Sequence, residues 1–354
     1  MTATDPVRSV PREIRAVIHR IERATVDALG HPGPARLLVA VSGGADSSAA
    51  LIALTERVAQ HGWHVEAAHL DHGLASSDVQ AGFQTVVAAL ARSLDLRLHL
   101  GAAEIDPRGP GIEAAARAAR YAYLAACAQA MRADAVVTGH TANDQVETVL
   151  MHLIRGSGLE GLTGMRLCAP LPFDDGDSVG SQPLIRPLLG VTRTETEALC
   201  RAFGIAPVED PANRDPAFFR NRVRRELLPL LRELNPAVDA AVQRLAVSAT
   251  RDLDALEIVT AQALAVSMDE PGVQPGDVVG HLRRSALRAQ PETLRHRVLR
   301  AWAERADIPP LSAERTAALD RLAERGGGAV ELGAGVSVVA QGDLLMLHGA
   351  RTAR

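Results

Sequence analysis

Between Arg36 and about Gln60 the chain passes from an apolar run, Arg36-Leu-Leu-Val-Ala-Val41, through Ser42-Gly43-Gly44-Ala45-Asp46-Ser47 into an Ala/Leu-rich segment. The run reads as a buried parallel strand, and a helix is expected from about Asp46. Two glycines at such a break let backbone N–H groups converge, and the helix start adds partial positive charge. Strand, glycine turn and helix N-terminus together make an anion site. The plainer alternative is an ordinary turn capped by Ser42 or Asp46, which would suffice for a bare Gly-Gly pair. The full Ser-Gly-Gly-x-Asp-Ser pattern after a strand favours phosphate. Asp46 beside an anion then makes sense if a Mg²⁺ is shared between its carboxylate and the phosphates. Neither Gly-x-x-x-x-Gly-Lys nor Gly-x-Gly-x-x-Gly is present, and the chain has no lysine: all 38 basic Lys or Arg positions are arginine.

The alternation continues on both sides of this stretch. Residues 11–29 space Ile14, Val17, Ile18, Ile21, Val26 and Leu29 as an amphipathic helix, with Pro11 in its first turn and Gly30 at its end. Further strands are expected at Val65–Leu70, Leu96–Leu100, Ala135–Gly139 and Leu184–Leu189, separated by helices near 78–93, 113–132 and 143–155 and followed by one at 193–203. Strands and helices alternating at this spacing predict an α/β fold with a parallel five-stranded, Rossmann-like sheet covered by helices on both faces. In such sheets ligands bind at the carboxyl ends of strands. Ser42–Ser47, Asp71-His72 and His140–Glu147 all fall just after a strand, which points to one shared site. Residues 102–111 read as a mobile loop and 170–182 as an acidic surface loop.

After residue 205 the pattern changes. A turn-rich segment, Asp210-Pro-Ala-Asn213-Arg-Asp215, leads into a basic helix from Phe218 to Leu231. A long helix is expected over Pro236–Met268, then helices near Leu282–Arg288, Glu292–Ala306 and Ala313–Arg325, then short strands at 329–332, 336–339 and 344–347 forming a small β meander. The expected division is 1–215, a basic linker helix at 216–235, and a mainly helical C-terminal domain at 236–354.

Composition narrows the classes. A net charge of -4 carries no global nucleic-acid signal, so any such surface is a local patch. Aromatics at 3% argue against a base-stacking platform for single strands. Cys127, Cys168 and Cys200 are far apart, which fits a reducing cytoplasm and excludes a disulfide framework or zinc finger. No apolar run reaches membrane-spanning length.

Three further constellations could carry chemistry. Glu113, Arg117, Arg120 and Tyr121 share one stretch of helix. A solvated salt-bridged face is the plainer reading, and arginines near phosphate the functional one. Asp144 and Glu147 stand at i and i+3 in the first turn of a helix after His140. They read either as caps or as an acidic pair for an amine or a metal, and the nearby Arg155-Gly-Ser-Gly weakens the capping reading. Arg220, Arg222, Arg224 and Arg225, and a second cluster of His281, Arg283, Arg284, Arg288, Arg295, His296, Arg297 and Arg300, could contact RNA backbone.

Taken in order, Ser42–Ser47, His69-Leu-Asp-His72-Gly-Leu74, Glu113-x-x-x-Arg117-x-x-Arg120-Tyr121, Gly139-His140-x-x-Asn-Asp144-Gln-x-Glu147-Thr, Arg155-Gly-Ser-Gly, Arg186-Pro-Leu-Leu and Asp210-Pro-x-Asn213 through Arg222 resemble the tRNA(Ile)-lysidine synthetase family. The loop alone resembles only the wider ATP pyrophosphatase (PP-loop) superfamily. The resemblance is strong over about residues 10–235 and weaker beyond, in a short form with one C-terminal domain. It implies that ATP·Mg²⁺ adenylates the wobble cytidine of the CAU anticodon of tRNA(Ile), and that L-lysine then displaces AMP to give lysidine. It implies that Ser42, Gly43, Gly44, Ala45 and Ser47 hold pyrophosphate and Asp46 the Mg²⁺. It further implies that Ala68, His69, His72, Gly139 and His140 border the nucleotide, and that Asp144 and Glu147 attract lysine's ammonium groups. Arg117 or Arg120, with Arg220 or Arg222, would steady phosphate or the activated base; sequence leaves open which of each pair does so. Asn143 stands where many relatives have Asp, so the charged role falls to Asp144. The nearest rival is a tRNA thiolase of the same superfamily, for which paired cysteines are missing. A homodimer is compatible with the sequence.

Overall fold

The computed structural model describes residues 10–73, 77–105, 111–172, 182–208, 219–269, 281–306, 308–333 and 335–349. Asp210–Phe218, residues 106–110 of the expected mobile loop and residues 173–181 of the acidic loop lie outside these, as does the side chain of Glu113.

The strand β1 (Arg36–Ala40) lies inside a sheet with β2 (His64–Asp71), β3 (Leu98–Ala102), β4 (Ala135–Val137), β5 (Cys168–Pro170) and β6 (Pro183–Ile185), in the order β3-β2-β1-β4-β6-β5. The sheet therefore has six strands, not the five expected. Five are parallel, and β5 is an antiparallel edge paired with β6. A Cys-Ala-Pro segment is too short to show an alternating pattern, and its proline is tolerated because it sits on an edge. Strands β4 and β6 also stop earlier than expected, at Val137 and Ile185.

Both faces of the sheet are buried, so Leu37–Ala40 of β1 and all of β4 are apolar, while β2 carries buried Glu66 and His69 among its apolar residues. Leu37, Val39, Ala135 and Val137 enter one core with Ile18 and Ile21 of α1 (Arg12–Leu29), Leu51 of α2 (Ala45–Thr55), Leu90 of α4 (Ser77–Ser93) and Leu199 of α8 (Arg193–Ala202). The alternate residues Leu38, Ala68 and Val136 meet Tyr121, Leu124 and Ala128 of α5 (Ile112–Met131) on the other face. Burying a side chain such as Leu or Ile contributes roughly 1.5–3 kcal/mol. Helix α1 ends where Gly30 takes φ 76° and its N–H caps Val26. Helix α2 ends at Thr55, and a separate short turn α3 (Val58–His61) precedes β2.

Beyond β4 come α6 (Ala142–Ile154) and the short α7 (Leu159–Leu162). The basic segment forms α9 (Phe219–Arg222), a π-helical turn at Val223–Leu227 and α10 (Leu228–Leu234). Val223 and Leu228 pack against Val146 and Leu150, which fixes this segment along α6.

The chain divides into two compact units between Thr250 and Arg251, within the long helix α11 (Val238–Ser267). The sequence places a boundary at 236 instead. Early α11 joins the first unit because Val242 packs with the cluster containing Leu228.

The second unit has a five-stranded antiparallel sheet of β7 (Met268–Asp269), β8 (His281–Arg283), β9 (Gly328–Gly333), β10 (Val336–Gln341) and β11 (Leu344–Gly349), ordered β7-β8-β11-β10-β9. Helices α12 (Arg284–Arg288), α13 (Glu292–Arg305) and α14 (Ala313–Arg325) complete it around Trp302, Val298, Leu319 and Leu345. Leu282, expected in a helix, is in β8, where it pairs with Leu345; that partner is too far along the chain to be read locally.

Candidate functional site

The strand order reverses direction at β1, since β2 and β3 extend one way and β4 and β6 the other. The crevice outside the carboxyl ends of β1 and β4 is thus the topological switch point, where open α/β sheets bind ligands. Ser42–Gly44 leaves β1 there, and Gly139–Thr141 leaves β4 beside it.

The loop after β1 is closed by its own hydroxyls. Ser42 N–H donates to Ser47 Oγ at 3.1 Å, the two serine Oγ atoms are 3.1 Å apart, and Ser47 Oγ donates to Gly44 O at 3.2 Å. Gly43 adopts φ 90°, and a Cβ there would come within 3.2 Å of Phe83. Gly139 has a different constraint: a Cβ would stand 2.7 Å from Ser47 N and 2.8 Å from the Asp46 carbonyl carbon. The end of β4 therefore lies directly on the first turn of α2, and only glycine permits that approach.

Asp46, in that first turn, accepts a hydrogen bond from Thr196. Burial pushes its pKa up to about 6, and the neighbouring charges of Asp144 and Glu197 add to the rise against the Thr196 hydrogen bond and Arg193.

Asp144 and Glu147 do lie together on α6. Asp144 is the N3 partner of a capping box: Thr141 N–H and Oγ1 each donate to its Oδ2 at 2.8 Å. Its other oxygen, Oδ1, accepts from Arg220 Nη2 at 3.0 Å. Glu147 accepts from Arg220 Nε at 2.7 Å and from Arg224 through Nε at 2.5 Å and Nη2 at 3.0 Å. The Glu147 side chain is 2% exposed, whereas Arg220 and Arg224 are 31% and 28% exposed. Asp144 thus caps α6 through one oxygen and pairs with Arg220 through the other. Arg222 is not part of this group; it is exposed and pairs with Glu226 at 3.2 Å. Arg224 is the residue the resemblance omits. Its one available signal is the i, i+4 relation to Arg220, which places both on one helical face.

His140 lies behind Asp144, with Nδ1 2.9 Å from Thr138 Oγ1. Burial lowers its pKa to about 4, helped by the charges of Arg186, Arg120 and Arg220 and opposed by Asp144, so it is neutral at pH 7. Arg117 and Arg120 place their guanidinium carbons 4.9 and 5.3 Å from the centre of the Tyr121 ring. Arg186, buried, donates to Arg166 O at 2.9 Å, and burial followed by the Arg117 charge lowers its pKa.

The remaining residues around the crevice make these contacts. Ala68 has its side chain in the core and its carbonyl accepts Val41 N–H at 2.8 Å. His69 is buried, with Nδ1 2.7 Å from Val41 O. His72 follows β2, where Asp71 Oδ1 accepts Gly73 N–H at 2.9 Å. Asn143 Oδ1 accepts the N–H of Arg193 at 2.9 Å, which ties the start of α6 to the start of α8 and needs no charge. Gln145 holds the glycine-rich loop, donating to Thr163 O and Met165 O at 2.9 and 3.1 Å and accepting Met165 N–H at 2.7 Å. The three cysteines lie on α5, β5 and α8, with Cys127 and Cys200 buried.

In the second unit the expected basic cluster is largely engaged. Arg284 donates to the carbonyls of Ala323 (2.7 Å), Gly342 and Glu324. Arg295 forks onto Asp320 at 2.7 and 2.8 Å. Arg288 remains exposed, and Arg300, also exposed, donates from Nε to Thr316 Oγ1 at 3.3 Å.

This fold and loop define a PP-loop protein, and residues 17–231 match the PP-loop domain family. A solved U34-tRNA thiolase from Methanococcus maripaludis shares the fold, with TM-score 0.53 and 16% identity over 68% of this chain and 80% of that one. Residues 282–345 match the TilS substrate binding domain. The tRNA(Ile)-lysidine synthase of Salinispora tropica is 40% identical over 92% of this chain and 93% of its own length. The corresponding proteins of Parasynechococcus marenigrum and Mycobacterium tuberculosis are 38% and 36% identical, over 88% and 92% of both chains. The chain belongs to the tRNA(Ile)-lysidine synthase family.

Proposed function

We propose that the protein is an ATP-dependent ligase that joins L-lysine to the wobble cytidine of the CAU anticodon of tRNA(Ile), through an adenylated cytidine, releasing pyrophosphate and AMP. The observation that carries this reading is the contact of the Ser42–Ser47 loop after β1 with Gly139 after β4, directly before the α6 turn that holds Asp144 and Glu147.

In this reading the loop and the α2 N-terminus hold the pyrophosphate moiety of ATP. Arg117 and Arg120 take phosphate or the activated base. Asp46 fits a Mg²⁺: burial and like charges raise its pKa, and a cation relieves both. Mg²⁺ is commonly held by one or two carboxylates plus substrate phosphates, so a single protein carboxylate here is sufficient. When bound, the ion neutralises phosphate charge. Residues 236–354 are assigned to tRNA contact, and the cytoplasm is the expected compartment.

The test is ATP–pyrophosphate exchange with and without unmodified tRNA(Ile), followed by incorporation of labelled lysine. Exchange that depends on tRNA, with label in the tRNA, is expected. Failure of the wild-type protein to incorporate lysine sinks the reading.

A further inference from the structure

Thr196 is fully buried, one turn into α8, and lies outside every motif that carries the sequence resemblance. Its hydroxyl donates to Asp46 Oδ1, and among the described residues this is the only side-chain hydrogen bond to that carboxylate. The carbonyl oxygen of Arg193 is also within reach, at 2.8 Å. A threonine inside a helix ordinarily bonds a carbonyl of the preceding turn in this way. A hydroxyl has one proton to give, and of the two acceptors a carboxylate is the stronger. The distant contact with Asp46 therefore wins over the local one.

The helix that carries Thr196 is fixed on several sides. Thr192 and Glu195 form a capping box, and Arg20 of α1 donates to Glu195 and, at 3.2 Å, to Gly190 O. Arg193 N–H holds Asn143 at the start of α6, and Cys200 Sγ donates to Ala45 O at 3.4 Å. Thr196 and Cys200, at i and i+4, thus face the first turn of α2 together. The donor that reaches Asp46 is rigidly placed, and as a β-branched residue it has few rotamers to lose.

We propose that Thr196 is a positioning residue for the divalent cation: by holding Oδ1 it fixes the plane of the Asp46 carboxylate and leaves Oδ2 as the oxygen offered to Mg²⁺. Hydrogen bonds of this kind orient carboxylates that bind metals. The inference rests on the assignment of Asp46 to Mg²⁺ made above, and it adds α8, through Thr196, to the parts that build the nucleotide site.

The test measures binding of α,β-methylene-ATP, whose α–β bridge resists cleavage, to the whole chain without tRNA, in Mg²⁺ and in EDTA. The quantity read is the ratio of the two Kd values. In the wild type Mg²⁺ is expected to tighten binding by about tenfold or more. Thr196→Val keeps the shape and removes the donor; it is expected to lose most of that gain with the Kd in EDTA unchanged. Thr196→Ser restores the hydroxyl and is expected to bring the ratio back to within about threefold of the wild type. Thr196→Ala must behave as Thr196→Val does, which keeps the test decisive if valine packs badly. In an Asp46→Asn background Thr196→Val is expected to change nothing further. A merely structural role weakens binding alike with and without Mg²⁺, keeps the ratio and overturns the proposal, as does a Thr196→Val protein with the full wild-type ratio. A wild type that gains nothing from Mg²⁺ removes the metal assignment and this inference with it, whereas lysine incorporation tests the wider function separately.

Discussion

Arg224 grips Glu147 at two points, Nε to Oε1 at 2.5 Å and Nη2 to Oε2 at 3.0 Å, across 77 residues of sequence. Arg220 completes the group from one helical turn earlier, and together they neutralise an acidic pair that looks bare in the sequence. The Val223–Leu227 π-turn lies in this segment, anchored on α6 by Val223 and Leu228.

Removing the inner carboxylate leaves two guanidinium groups sharing the single charge of Asp144 in a partly buried place. Glu147→Ala is expected to cost about 3 kcal/mol of stability, the lower end for a broken buried pair because the arginines retain some solvent. Urea denaturation checks this; a loss below about 0.5 kcal/mol would show the pairing to be a surface one.

Gly139→Ala adds a methyl where backbone already lies at 2.7 Å. The end of β4 must then separate from the first turn of α2, displacing Asp46 and Ser47. The KM for ATP in tRNA-dependent pyrophosphate exchange is expected to rise about tenfold or more, from misplacement on the order of 1 Å. An unchanged KM would mean that the loop tolerates the shift.

Asp46→Asn removes a charge that burial and two neighbouring carboxylates oppose. Adenylation is expected to be lost with no fall in the melting temperature of the metal-free protein. A large drop in melting temperature would instead make Asp46 a structural residue.

Far from the crevice, Glu22 is buried among His61 (2.7 Å), His19 (3.1 Å) and Arg57 (3.1 Å). Burial pushes its pKa up, but these partners together outweigh it and hold the pKa below 4.5. A lowered acid pKa gives stability that is fully present above the unfolded value and is lost as pH falls through the folded one. Glu22→Gln is therefore expected to lower stability by about 1–3 kcal/mol near neutrality. The gap should narrow only below about pH 4.5, and melting curves across pH 3–8 check both points.

Arg284 and Arg288 are expected to separate cleanly. Arg284→Ala exposes three carbonyl partners and should destabilise the second unit by about 2 kcal/mol. Arg288→Ala should leave folding intact and, if this face meets RNA, reduce the salt slope of tRNA binding by about 1. An unchanged slope removes Arg288 from the interface.

Local chemistry determined the glycine loop after a buried strand, the apolar strand series, the amphipathic α1 with Gly30 at its end, and the placement of Asp144 and Glu147 on one helical turn. Each follows from neighbours within a few residues, where periodicity and turn residues act. Tertiary structure decided what those side chains face. The β5 edge strand, the pairing of Leu282 with Leu345, the contact that forces Gly139 to be glycine and the choice of Arg224 over Arg222 all join segments distant in sequence. A charge's partner depends on which surfaces pack together, and here packing of Val223 and Leu228 on α6 turned an acidic pair into a neutral quartet.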